Sequence, residues 1–135
     1  MLNVSIPLSG MQAASLQLTA SADNIANINT DGPLPAAASQ GPGGKHAYQP
    51  VRVQQSSAGP GGGTTATLAN VRPSFVARYD PQAAYANNQG QVAAPNVDVL
   101  NEVLNIATAK SNFAANANVA DAVNRMVKQL FELND

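Results

Sequence analysis

The sequence predicts an α+β fold: long N- and C-terminal helices that pair as a coiled coil, with a small irregular antiparallel β region between them. Three observations predict it. Apolar residues at both ends recur at alternating spacings of four and three, the signature of a helical seam. The stretch between the ends holds most of the Gly and Pro residues and several short runs of alternating character. Aromatic residues make up only 4% of the chain, and much of its 44% hydrophobic content is alanine. Large side chains contribute most of the burial energy of a compact core, whereas alanine favours helices in close contact. Such a composition suits helices that bury surface against partner subunits.

The first unit, residues 1–30, carries the stripe Val4, Leu8, Met11, Ser15, Leu18, Ala22 and Ile25. Ser5 is positioned to cap a helix, and Pro7 falls in its first turn, where the missing N–H costs nothing. Gly10 weakens the helix by about 1 kcal/mol relative to alanine. Thr30-Asp31-Gly32-Pro33 supplies turn formers and a proline to stop it. A helix of roughly 24 residues is about 36 Å long.

The middle unit, residues 31–95, contains two segments read as flexible loops, Pro33 to Gly44 and Ser56 to Gly63. Two or three antiparallel strands are expected between and after them: 48–53, 65–71 and 74–79. Val51 and Val53 alternate with Arg52, and Phe75, Ala77 and Tyr79 share one parity. Pro50 suggests an edge strand.

The last unit, residues 96–135, begins at Pro95-Asn96-Val97-Asp98, where Asn96 or Asp98 can cap a helix running to about Leu133. Val99, Val103, Ile106, Lys110, Phe113, Ala117 and Ala120 form one stripe. A neighbouring stripe takes over at Val119, Val123, Met126, Leu130 and Leu133. A helix of about 36 residues extends about 54 Å, too long for so small a domain to bury. Asparagine takes the place of the usual flanking charges: Asn24, Asn27 and Asn29 in the first helix, Asn101, Asn105, Asn112, Asn116, Asn118 and Asn124 in the last. Asparagine is a poor helix former, but it fixes register when it hydrogen-bonds across a packed interface, so these positions read either as a polar solvent face or as helices surrounded by other helices. The residues expected at subunit interfaces are therefore Leu8, Met11, Leu18, Ala22, Asn24, Ile25, Asn27, Val99, Val103, Ile106, Phe113, Asn116, Val119, Val123, Met126, Leu130 and Leu133.

Charge and residue usage exclude several function classes. The net charge of −1 gives no global field toward nucleic acid or membrane, and the basic residues lack aromatic interleaving. No acid lies between Gly32 and Tyr79, where Lys45, Arg52, Arg72 and Arg78 occur. That segregation fits either scatter in a weakly charged region or complementary stacking of subunits. Cysteine is absent and histidine occurs once, so disulfides, thiolate metal centres and His-rich metal sites are not expected. The N-terminus has neither a basic n-region nor an apolar h-region, so a cleaved secretory signal is not expected. No apolar stretch approaches the ~20 residues of a membrane span.

Candidate chemical motifs fail on their residues. Gly41-Pro42-Gly43-Gly44-Lys45-His46 departs from a phosphate loop at Ser39, which holds the first glycine position, and at His46, which replaces the Mg²⁺-binding Ser or Thr. Gly59 to Gly63 does not complete a dinucleotide fingerprint, because Thr64 holds the place of the last glycine. Asp98 and Glu102 share a helix face, but at a helix N-terminus the dipole explains them without acid–base chemistry. No cofactor, small-molecule ligand or catalytic residue is expected.

Leu8-Ser9-Gly10-Met11, Ala13-Ala14-Ser15 and Ser21 to Thr30 resemble the N-terminal signature of flagellar rod and hook proteins, in which an S-x-N-I-A-N-x-N-T type sequence ends the first helix. Phe113 to Val119, leading into Met126, Leu130 and Leu133, resembles the family's C-terminal helix. Tyr79-Asp80-Pro81, Ala86-Asn87, Gly90, Val92, Pro95-Asn96-Val97-Asp98-Val99 and Glu102 are most similar to the proximal rod proteins of that family. Ala83-Ala84 stands near that branch's usual His-Pro, and Gln91 replaces its aromatic residue.

The resemblance implies a structural subunit of the flagellar basal body, passed through the flagellar export apparatus without cleavage. It would polymerise with copies of itself and with other rod proteins into a drive shaft across the periplasm. The terminal helices would pair and line the inner tube, with the β region outside. An adaptor or secreted coiled-coil protein with rod-type ends is the alternative, and an enzyme built on the β region has only scattered Asp, Ser and His46 to support it.

Overall fold

A computed structural model describes residues 4–34 and 46–132. Its elements are α1 (Ser5–Ala26), β1 (Val51–Ser57), β2 (Thr64–Asn70), β3 (Phe75–Tyr79), β4 (Gln91–Pro95) and α2 (Val99–Glu132). The expected order of helix, β region and helix is present. The glycine-rich segment 35–45 and Leu133 lie outside the described residues.

α1 starts at Ser5 itself, with Val4 in the cap position, so the helix begins one residue before a Ser5 cap would place it. Pro7 lies in the first turn and the first intrahelical bond runs from Leu8 N–H to Val4 C=O, so the proline removes no helical donor. At the other end Asn27 closes the helix. Its backbone N–H and its Nδ2 both donate to Asp23 C=O, at 3.0 and 2.9 Å. α2 is capped by Asp98, whose Oδ1 accepts from the N–H groups of Leu100 and Asn101 at 3.0 and 3.3 Å. Its 34 residues make it about 51 Å long.

The two helices run antiparallel in a register set by two contacts. Asn24 bonds Glu102, and Gly10 lies against Asn116 so closely that a Cβ there would sit 2.5 Å from Asn116 Oδ1. The partners lie fourteen residues apart on each helix, two full heptads, so both helices advance in step. Extending the same register places Val4 opposite Ala122.

β1 and β2 form an antiparallel hairpin, with Val51 paired to Asn70 and Ser57 to Thr64. The hairpin lies along α1. Its root meets the helix C-terminus at Asn24, and its tip meets the first turns, where Thr64 N–H donates to Ser9 Oγ at 3.0 Å. Gly63 makes this approach possible. Its φ is +79°, and a Cβ would lie 3.3 Å from Ile6 Cα. The expected first strand at 48–53 is displaced to 51–57, so Ser56 and Ser57, assigned above to a loop, belong to β1. The turn is confined to 58–63.

β3 pairs with β4, from Phe75 with Pro95 to Tyr79 with Gln91. β4 was not expected from the sequence, yet it is the most buried strand, and Val92 is 0% exposed. Gly32 exchanges both backbone hydrogen bonds with Ala93, at 3.0 and 2.8 Å, which ties the exit of α1 to this strand. The buried apolar set is small-residued throughout: Ala13, Ala14, Ala20 and Ala109 between the elements around α1, and Val92, Ala93 and Ala94 in β4.

Candidate assembly interface

α1 presents three faces, each at heptad spacing. The face toward α2 comprises Pro7, Gly10, Ala14, Gln17, Ser21 and Asn24, all buried or half-buried. The face toward the β1–β2 hairpin comprises Ile6, Ser9, Ala13, Leu16 and Ala20, with Ala13 and Ala20 buried. The third face is Leu8, Met11, Ser15, Leu18, Ala22 and Ile25, the stripe of large residues singled out in the sequence. Leu8, Leu18 and Ala22 are exposed, and Met11 and Ile25 are half-buried. The intramolecular seam therefore lies one residue before the large-residue stripe.

α2 repeats the arrangement. Glu102, Asn105, Ala109, Asn116, Ala120 and Val123 are buried or half-buried on the α1 side. Val99, Val103 and Phe113, from the expected stripe, are exposed, while Ile106 and Ala117 are half-buried. Stepping one residue forward along each of two antiparallel right-handed helices turns both side chains toward the same side of the pair. The two large-residue stripes consequently share one open face. A groove of about 300 Å³ runs between them, floored by Ala14 and Ala109 and walled by Leu18, Phe113, Ser15 and Lys110. Leu18 is 39% and Phe113 42% exposed.

Small residues in the seam explain this inversion. Gly10, Ala14, Ser21 and Ala109 let the helix backbones approach, so the pair closes without its large side chains. Those side chains are left on a surface that a water-exposed monomer has no use for, since contiguous apolar patches mark interaction sites. Val119 and Met126 are exposed, Val123 is half-buried, and Leu130 is exposed near the end of α2.

The asparagines divide between two roles. Asn24 is 1% exposed and sits inside the chain. Its Nδ2 donates to Val51 C=O at 2.7 Å and Glu102 Oε1 at 2.8 Å. Its Oδ1 accepts from Val51 N–H at 3.0 Å and Tyr48 O–H at 3.1 Å. All four hydrogen-bonding positions of the amide are used, and one side chain joins α1, α2, β1 and the segment before it. Burial raises the Tyr48 phenol above its ordinary pKa, with the charges of Asp23 and Glu102 adding to the effect. Asn105 Nδ2 donates to the other Glu102 oxygen at 3.3 Å. Asn116 is half-buried against Gly10 and donates to Asn112 C=O at 2.8 Å. Asn27 belongs to the end of α1, where its Oδ1 also accepts from Thr30 Oγ1 at 3.2 Å.

Residues 79–102 fix the connection between β3 and β4 and the approach to α2. Asp80 N–H donates to Gly90 C=O at 2.8 Å, and Asn87 Oδ1 accepts from the N–H groups of Gln89 and Gln91 at 2.9 and 2.8 Å. Asn96 N–H donates to Ser74 C=O at 3.0 Å and its Nδ2 to Pro73 C=O at 2.9 Å. Arg78 forms an ion pair with Asp31, linking β3 to the segment after α1. The side chains of Asn87 and Asn96 thus hold backbone groups in place. Glu102, expected to serve the helix dipole, is drawn into the Asn24 network as well.

The sequence reading missed the small-residue seam, and its signal was present. Positions 7, 10, 14, 17, 21 and 24 have the same four-and-three spacing as the large-residue stripe beside them. Weighting by hydrophobicity hid it.

A family model described as "Flagella basal body rod protein" matches residues 6–33, which span α1 and its exit. Over 129 residues the chain is 31% identical to the flagellar basal-body rod protein FlgC of Escherichia coli O6:H1, covering 93% of this chain and 90% of that protein. The same identity and coverage relate it to FlgC of Salmonella typhimurium strain LT2. Sequence similarity through both helices and the β region, together with the helix–β–helix order of the fold, shows that this chain belongs to the flagellar basal-body rod protein family and is FlgC-like.

Proposed function

We propose that this chain is a structural subunit of the proximal part of the flagellar rod, and that it joins its neighbours through the open face of the paired helices. The observation that carries the reading is the inverted packing of α1 and α2. Small residues close the intramolecular seam, while Leu8, Leu18, Val103 and Phe113 remain exposed on one side. A helix pair of this kind completes its apolar burial only against other subunits. In the assembly the helices line the inner tube, the β1–β2 hairpin faces away from the open side, and many such contacts in parallel carry torque. The partners are copies of this chain and other rod proteins, reached through the flagellar export apparatus. No catalytic step is assigned to the chain.

Deletion of the gene tests this reading. Loss of motility and of intact basal bodies, restored by the parent chain, is the expected result. Intact rods in a motile deletion strain with no second rod protein of this type would refute it and favour an adaptor role.

A further inference from the structure

The β1–β2 ladder leaves one edge of the hairpin open. Val71 N–H donates to Pro50 C=O at 2.8 Å and Ala58 N–H to Gly63 C=O at 3.1 Å. These bonds fix the hydrogen-bonded pairs between them as Arg52 with Ala69, Gln54 with Thr67 and Ser56 with Thr65. The main-chain groups of the alternate residues therefore point outward. On β1 the outward N–H and C=O of Val51 are taken by the Asn24 amide. On β2 the N–H of Thr64 is taken by Ser9, but the outward groups of Ala66, Leu68 and Asn70 have no hydrogen-bond partner among the described residues. Leu68 shares the α1 side of the sheet with Val51 and Val53. It is nevertheless 51% exposed, so the helix does not cover this part of the strand. β2 also carries neither a charge nor a proline, the devices that commonly guard an edge.

The opposite face of the same strand is basic. Arg52, Gln54, Ala69 and Arg72 line a pocket of about 400 Å³. Neither guanidinium has an ion pair or hydrogen bond among the described residues. We infer that β2 accepts an extended segment of another protein as a third strand, and that this segment alternates acidic and apolar side chains. The free main-chain groups select an extended partner, and the two faces of the edge set its alternation. In the row that runs from Arg52 across Ala69, the next side chain belongs to the incoming strand. The small alanine leaves the guanidinium room to reach a carboxylate there. One residue along, the incoming side chain lies beside Leu68 on the other face, where an apolar group is the complement. The strands of a second copy do not meet this description, because none of β1 to β4 contains an acid. The contact is separate from the open face of the helix pair and does not depend on the assembly proposed for that face.

A labelled peptide, Thr-Val-Glu-Val-Glu-Val-Thr, tests the site on the full chain, with helicity verified by circular dichroism and binding followed by fluorescence anisotropy. Saturable binding is expected, with slower amide exchange at Ala66, Leu68 and Asn70. Methylating the main-chain nitrogens of the valines, which face β2 in an antiparallel pairing, should abolish binding. Methylating those of the glutamates, which face away, should spare it. Arg52→Glu combined with Arg72→Glu changes two exposed positions and should weaken binding by about tenfold or more. The same doubly reversed chain should bind the peptide with lysine in place of glutamate. Absence of saturable binding to the folded chain, equal effects of the two methylations, or equal binding by the parent and the doubly reversed chain would overturn the inference. None of these outcomes bears on the rod reading, which the gene deletion decides.

Discussion

Asn24 and Glu102 meet at 2.8 Å across the helix pair, Nδ2 to Oε1, in a site from which water is almost wholly excluded on the asparagine side. The bond sets the α1–α2 register at one end, as Gly10 against Asn116 does two heptads away. Replacing Asn24 by Leu keeps its branched shape but leaves Val51 N–H and C=O, Tyr48 O–H and one Glu102 oxygen without their partner. Unsatisfied buried groups cost about 1–3 kcal/mol each, so Asn24→Leu should remove most of the helical circular-dichroism signal at ambient temperature. Glu102→Gln keeps an acceptor for Asn24 and should change the unfolding midpoint far less than Glu102→Ala.

Gly10→Ala tests the other end. The methyl group gains about 1 kcal/mol of helix propensity but collides with the Asn116 amide. In the parent chain the change should be neutral or destabilising. In an Asn116→Ala background it should stabilise by about 1 kcal/mol. A thermodynamic cycle over the two positions should therefore return a coupling above about 0.5 kcal/mol.

The inverted packing separates folding from assembly. Leu18→Asp and Phe113→Asp alter exposed positions of the open face and should shift monomer stability by about 1 kcal/mol or less, yet abolish incorporation into basal bodies and motility. Ala14→Asp places a charge in the seam, where burial costs several kcal/mol, and should lose the fold itself. Helicity by circular dichroism and sedimentation of basal-body fractions distinguish the two outcomes.

Tyr48 gives the chain an alkaline limit. Its phenol is raised above the ordinary value by burial and by Asp23 and Glu102, so the protonated form is favoured by folding. The associated stability is complete below the unfolded-state tyrosine pKa and declines as the pH climbs through the folded value. Tyr48→Phe should lose about 1 kcal/mol at neutral pH with the hydrogen bond to Asn24. It should also flatten the alkaline decline in a plot of unfolding midpoint against pH.

The helices were legible because heptad spacing survives any sequence context, and because Asp98 and the Thr30-Asp31-Gly32-Pro33 stop are local signals. The β1–β2 hairpin was legible in outline from Val51, Arg52 and Val53. β4 was not. Val92, Ala93 and Ala94 are buried together, which erases the period-two alternation of a half-exposed strand. Its partners are Phe75 to Tyr79 and Gly32, distant in sequence and invisible to local propensity. The Asn24 network was hidden for the same reason, since three of its four bonds reach residues more than twenty positions away and the fourth reaches the other helix.

By itself, the sequence determined that two helices with continuous apolar stripes flank a small β region, and that this arrangement resembles a rod subunit. Only the tertiary structure decided which stripe closes the chain on itself. Periodicity cannot choose between positions 7, 10, 14, 17, 21, 24 and positions 8, 11, 15, 18, 22, 25, because both repeat at the same spacing. Hydrophobicity favours the second set, but backbone approach through Gly10, Ala14 and Ala109 needs the first. Close packing of small residues settles the seam, and the large residues are thereby left for neighbouring subunits.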